Sequence, residues 1–181
     1  MMLSSSMQEF ILHWGEMGTR WGVNRTVAQV HALLYLSPES LTAEEISDSL
    51  SVARSNVSTS LKELQNWNLV QIESRMGDRR DYFRTSFDVW TLFLTVVEQR
   101  VEREILPTMS MLQRLVAEAR IERPAQPAVA ARIAAMHTFL EEFHGWYSQV
   151  KKLPPATLHS IISIGSGITR MLPKSRRRRL D

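Results

Sequence analysis

The sequence predicts a mainly α-helical chain with one small β-hairpin: a mixed N-terminal module, residues 1–87, followed by an all-helical half. Apolar residues recur at helical spacing over most of the length. The period changes to two only once, around residues 69–87. Glycine and proline gather at a few breaks. With 181 residues and no cysteine, the chain is long enough to bury a core without disulfides and has no thiol chemistry. The expected divisions are 1–87, a helical region 88–173 and a basic tail 174–181.

The elements follow in order. Residues ~7–20 and ~24–36 read as two helices, carrying Phe10, Ile11 and Trp14, then Val27, Val30, Leu33 and Leu34. Gly15, Gly18 and Gly22 between them point to close helix contact or a sharp turn. Ser37-Pro38 ends the second helix. Thr42 with Glu45 forms a capping box that opens a short helix through Ile46 and Leu50. Ser51 is then expected to cap a helix over ~52–66, with Ala53, Val57, Leu61 and Leu64 as its buried stripe. Residues 69–74 alternate as a strand, 76–81 form a polar glycine-containing tip, and 82–87 return as a second strand. From Asp88 a long helix runs to about Ile121, with Pro107 expected to kink it. Residues 122–127 are a linker, helices follow over ~128–152 and ~156–171, and Pro154-Pro155 separates them.

Three helices followed by a hairpin make the layout of a winged helix-turn-helix. On the ~52–66 helix the face opposite the stripe carries Ser55, Thr59, Lys62 and Asn66, flanked by Arg54, Asn56 and Ser58. Such a face fits a major groove, where Arg and Asn read base edges and hydroxyls hold phosphates. The hairpin gathers Arg75, Arg79, Arg80 and Arg84, and its tip has the shape to lay an arginine into a minor groove. Double-stranded DNA is therefore the expected partner. The rival reading is a protein-interaction adaptor that kept the winged fold and lost DNA binding. Such a protein should carry acids or apolar patches on this face, which holds neither apart from Glu63 on its flank.

Residues ~10–110 resemble the MarR superfamily of winged-helix regulators, and more closely its GbsR branch, named for regulators of glycine-betaine synthesis. The resemblance rests on Trp14-Gly15 with Gly18 and Gly22, on Leu41-Thr42-Ala43-Glu44-Glu45-Ile46, and on Ser51-Val52-Ala53-Arg54-Ser55-Asn56-Val57-Ser58. Leu61-Lys62-Glu63-Leu64, Trp67-Asn68-Leu69-Val70 and Gly77-Asp78-Arg79-Arg80 complete it. Asn68 stands where such proteins often carry glycine, and asparagine also tolerates the left-handed conformation. The resemblance implies a homodimer on a pseudo-palindromic operator, usually acting as a repressor, and the lack of a signal-peptide pattern predicts a cytoplasmic protein. It also implies that Arg79 or Arg80 reads the minor groove, with Asp78 orienting the wing arginines. Half-sites would lie roughly 10 bp apart or a multiple of that.

The helical half carries more apolar surface than a unit of its size needs. The ~88–121 helix, Ile161-Ile162-Ser163-Ile164, Gly165, Gly167 and Ile168 are expected to meet a partner chain. On the ~128–152 helix, Phe139, Phe143, Trp146 and Tyr147 accompany Glu141 and Glu142. Aromatic faces with a carboxylate suit a quaternary ammonium, and the resemblance suggests choline or a related osmolyte precursor. Phe143, Trp146, Tyr147 and Glu142 form the candidate ligand set, with Trp14, Trp21 and Trp90 as further walls. The plainer reading is a core stripe of Ile133, Met136, Leu140, Phe143 and Tyr147. His137, Glu141 and His144 share one helix face, yet without a metal motif a solvated face is the better reading, and no metal or cofactor is expected. His13, His31 and His159 look isolated.

The charge balance sharpens these expectations. The net charge is +3, but the last eight residues contribute +4 and the other 173 sum to −1. Affinity for a polyanion must come from local clusters. The tail Lys174-Ser175-Arg176-Arg177-Arg178-Arg179 would add phosphate contacts or meet an anionic membrane surface. There is no signal-peptide pattern and no run of ~18 apolar residues, so no spanning helix is expected. Nor is there a phosphate-cradling loop or nucleophile motif, and an enzyme is not expected.

Overall fold

The computed structural model describes residues 2–121 and 127–154, with the single positions 157, 158, 160 and 164 beyond them. The chain divides into two compact units, Met1–Arg100 and Val101–Asp181.

The first unit starts with α1 (Ser5–Arg20) and α2 (Arg25–Leu36), capped by Ser4 and Asn24, whose side chains accept from the N–H groups of Met7 and Thr26. The glycines of α1 are there for contact. A Cβ on Gly18 would lie 2.5 Å from the Cβ of Ala28, and one on Gly15 would lie 2.8 Å from Cγ of Gln29. Gly22, at φ 77°, turns the chain between the helices. Then come β1 (Leu41–Thr42), α3 (Ala43–Leu50) and α4 (Arg54–Asn66). The capping box is present: Glu45 N–H donates to Thr42 Oγ1 at 3.2 Å, and Thr42 N–H to Glu45 Oε2 at 2.7 Å.

Ser51 does not cap α4. It closes α3 in the left-handed conformation, at φ 53°. The cap of α4 is Ala53, which contributes no side-chain hydrogen bond and is exposed rather than part of the stripe. The buried positions are Val57, Ser60, Leu61 and Leu64. Val57, Leu61 and Leu64 join Ile11, Val27, Val30, Leu33, Leu34, Ile46, Leu69, Val70 and Phe83 in one core.

The wing is β2 (Gln71–Ser74) and β3 (Asp81–Arg84), shorter than the alternation suggested. The sheet has a third strand, β1, in the order β1-β3-β2, all antiparallel. Two residues are too few to show a period, so β1 left no sequence signal. Leu69 and Val70 sink into the core ahead of β2. Asn68 takes the left-handed conformation expected of it, at φ 55°. Asp88 then caps α5 (Val89–Arg100), accepting from the N–H of Thr91 at 3.0 Å.

The second unit opens with a π-helical segment, Val101–Ile105, followed by α6 (Leu106–Ile121) and α7 (Pro127–Val150). The π segment ends two residues before Pro107, whose missing N–H breaks the regular ladder. Helices α6 and α7 pack together, burying Leu112, Leu140 and Tyr147. The stripe expected on α7 is only partly internal: Ile133 and Phe143 are half-buried and Met136 is exposed. Residues 122–126 of the expected linker, the tail 174–181 and most of the final helix lie outside the described residues, and Pro127, expected to close the linker, instead opens α7. Of the small-residue segment 161–168 only Ile164 is described, and it is exposed. Among the described residues no helix is long and apolar enough to cross a membrane.

Candidate nucleic-acid interface

Because α4 turns Val57, Leu61 and Leu64 inward, its other face is necessarily polar. Arg54, Ser55, Asn56, Thr59 and Lys62 are exposed and Ser58 is half-buried. Thr59 Oγ1 donates to its own helix, to the Ser55 carbonyl at 3.0 Å. With no side chain capping α4, its first N–H groups point outward with the positive end of the helix dipole.

Between α4, the start of α3 and the wing lies a groove of about 520 Å3, whose walls include Arg54, Ser58, Lys62, Arg79 and Arg80. Five of the nine residues expected to touch DNA thus share one concavity. Ser55, Asn56 and Thr59 stand on α4 outside its walls. Arg75 is placed differently. Its guanidinium carbon sits 3.8 Å above the centre of the Tyr82 ring, and its Nη2 donates to Ser40 Oγ at 3.0 Å. The first contact braces the hairpin across its own strands, and the second ties it to the loop before β1.

The two tip arginines differ in the same way. Arg80 donates from Nε and Nη2 to the Asp78 carboxylate, the shortest contact being 2.6 Å, and its N–H donates to Oδ1 at 3.0 Å. Tyr82 Oη donates to the same carboxylate at 2.8 Å and accepts from Arg80 Nη2 at 3.0 Å. The Arg80 hydrogen bonds hold the Asp78 carboxyl well below the usual carboxylate range. Asp78 in turn raises the pKa of Arg80 above its ordinary value. Arg79 is exposed, with no ion pair or hydrogen bond among the described residues. Arg84 is tied to Glu73 at 2.9 Å on the outer face of the hairpin. Sequence reasoning missed Tyr82 and Ser40. The only signal for Tyr82 was its place four residues after Asp78, facing back over the tip.

On α7 the Phe143 and Trp146 rings lie 6.1 Å apart, tilted by 38°. Trp146 is 60% exposed and Glu142 is exposed, whereas Tyr147 is buried with Lys151 Nζ 5.9 Å from its ring centre. His137 Nδ1 lies 3.3 Å from Glu141, an i,i+4 pair. Trp14 and Trp21 line two adjacent apolar hollows in the first unit. His31 is not isolated: it is buried beside them, 3.3 Å from Thr85 Oγ1.

Comparison with known proteins agrees with this geometry. A model of the MarR family matches residues 21–81, from the turn before α2 to the start of β3. The chain is 21% identical over 136 residues to the HTH-type transcriptional repressor GbsR of Bacillus subtilis (strain 168), spanning 74% of this chain and 75% of that protein. It is 18% identical to YvaV of the same organism over 153 residues, 83% of this chain and 86% of that one. A crystal structure of a transcriptional regulator superposes with a TM-score of 0.62 at 22% identity, covering 81% of this chain and 95% of that one. The helix-turn-helix and the braced wing thus have the layout of a winged helix-turn-helix, and residues 21–81, which carry most of it, are similar to the MarR family.

Proposed function

We propose that the chain is a sequence-specific DNA-binding repressor acting as a homodimer on a pseudo-palindromic operator. The carrying observation is the groove that sets Arg54, Ser58 and Lys62 of α4 beside Arg79 and Arg80 of the wing. Helix α4 occupies the major groove. There Arg54 and Asn56 read base edges, and Ser55, Ser58, Thr59 and Lys62 hold phosphates. Arg79, free of partners among the described residues, reaches the minor groove. Arg80, Asp78, Tyr82 and Arg75 set the angle of the tip. The similarity to a GbsR repressor supports repression rather than activation. Exposed Met136, Phe139 and Trp146 on α7 support a second copy as the cover of that face. A response to a small ligand belongs to the same reading, with choline against Phe143, Trp146, Tyr147 and Glu142 as one form of it. Calorimetry with choline on wild type and Trp146→Ala tests that form, and equal heats in the two would remove it.

The function is tested by fluorescence anisotropy on DNA from the gene's own upstream region against scrambled DNA, over a salt series. Binding at least ~10³-fold tighter to the upstream DNA, with two chains per site, is the expected result. Equal, steeply salt-dependent binding to both would reduce the groove to non-specific electrostatics.

A further inference from the structure

The tip of the hairpin carries an apolar side chain that the fold does not use. Asp78 N–H donates to the Arg75 carbonyl at 3.1 Å, closing a tight turn with Met76 and Gly77 as its central residues. Gly77, at φ 84°, supplies the positive φ at its third position. Gly77 has no side chain, so the one at the apex is that of Met76, and it is fully exposed.

The turn is held from both sides. Before it, the Arg75 guanidinium lies over the Tyr82 ring and donates to Ser40. After it, Asp78 accepts from Arg80 and from the Tyr82 hydroxyl. Met76 is thus a mobile apolar chain on a braced support. Burial does not account for it, because a side chain left in water adds nothing to the core. Turn chemistry does not either, since turns favour Gly, Pro, Asn, Asp and Ser. Three residues on, Arg79 is also exposed, with no ion pair or hydrogen bond among the described residues. The tip therefore offers the outside one cation and one thioether.

We infer that Met76 lies in the minor groove beside Arg79 and selects against G·C pairs at the position it covers. The inference rests on the DNA-binding reading and adds to it a neutral contact that carries specificity. On the floor of a minor groove, every base pair presents acceptors, and G·C alone adds the guanine amino group. The acceptors cost the same to cover in either case, so the amino group decides. A thioether is only a weak acceptor, and a G·C pair beneath Met76 would bury a donor without a good partner. The two tip residues then divide the work. Arg79 supplies charge, which any sequence satisfies, and Met76 supplies exclusion, which only some do.

A footprint on the upstream DNA locates the base pair under the wing. Anisotropy titrations then compare DNA carrying A·T, G·C or inosine·C there, inosine being the guanine nucleoside without its amino group. Wild type should bind A·T and inosine·C alike, and G·C about tenfold more weakly. Met76→Leu, which keeps an apolar side chain, should retain that penalty. Met76→Gln, similar in length but able to accept from the amino group, should bring it below about threefold at an unchanged salt slope. Both variants should keep the wild-type urea midpoint, because Met76 stands outside the core. Wild-type binding indifferent to G·C, inosine·C as weak as G·C, or an undiminished penalty in Met76→Gln would each overturn the inference and leave the DNA-binding reading standing. A wild type that does not distinguish upstream from scrambled DNA would remove both.

Discussion

Arg79 and Arg80 are adjacent, exposed and alike in charge, yet only Arg80 is tied down. Its guanidinium is spent on Asp78 and Tyr82, so removing it takes away a brace as well as a charge. Arg79→Ala should weaken binding to upstream and scrambled DNA together and lower the salt slope by about one. Asp78→Asn separates brace from charge. It makes the wing one unit more positive, which alone would tighten DNA binding, while it loses the contacts that hold Arg80. Weaker binding of Asp78→Asn in anisotropy titrations is the expected result, and tighter binding would show that the brace is irrelevant. His31 gives a residue-scale prediction for stability. Its folded pKa, about 4, lies below the unfolded value near 6.5, so the unfolded chain takes up the proton first. The stability from keeping the ring neutral is complete above pH 6.5 and is lost as pH falls towards 4, about 3 kcal/mol in all. Urea midpoints of wild type should therefore drop between pH 7 and pH 5 by more than those of His31→Gln.

At the scale of elements, α4 is held by few side chains. Leu61, at 2% exposure, fills the core beneath the polar face. Leu61→Ala should cost about 2–5 kcal/mol of unfolding free energy, with DNA affinity retained in the fraction that stays folded. Gly18→Ala should destabilise by about 1–3 kcal/mol, because the new methyl would meet Ala28 at a distance no side chain tolerates. Denaturant titration measures both. These elements differ in how plainly the sequence announced them. The capping box at Thr42 and the stripe Val57, Leu61, Leu64 were legible because each repeats a local hydrogen-bond or spacing rule. Ser51 was misassigned because serine serves a helix start and a left-handed helix end equally, and one residue cannot distinguish them. β1 exists only because β3 offers it an edge, a tertiary reason invisible in two residues. The arginines of the groove were legible as charge. The division of roles among Arg75, Arg79 and Arg80 was not, since it depends on where Tyr82 and Ser40 come to rest.

At the scale of the molecule, the charge distribution decides what kind of DNA binder this chain can be. The 173 residues before the tail are close to neutral, so there is no broad positive field and attraction is confined to the groove and wing. One such module offers few phosphate contacts, too few for a tight site at physiological salt. A second copy doubles the contacts and, through two-fold symmetry, fixes the distance between half-sites. Spacing is therefore a sharper test of the dimer than affinity. Once a footprint defines the two half-sites, inserting five base pairs between them turns one through about half a helical turn, away from its module. Binding should fall at least ~10²-fold, and an insertion of about ten base pairs, which restores the face but not the distance, should recover little of it. Affinity indifferent to a five-pair insertion would mean that each chain binds alone, and the exposed apolar face of α7 would then need a partner other than a second copy.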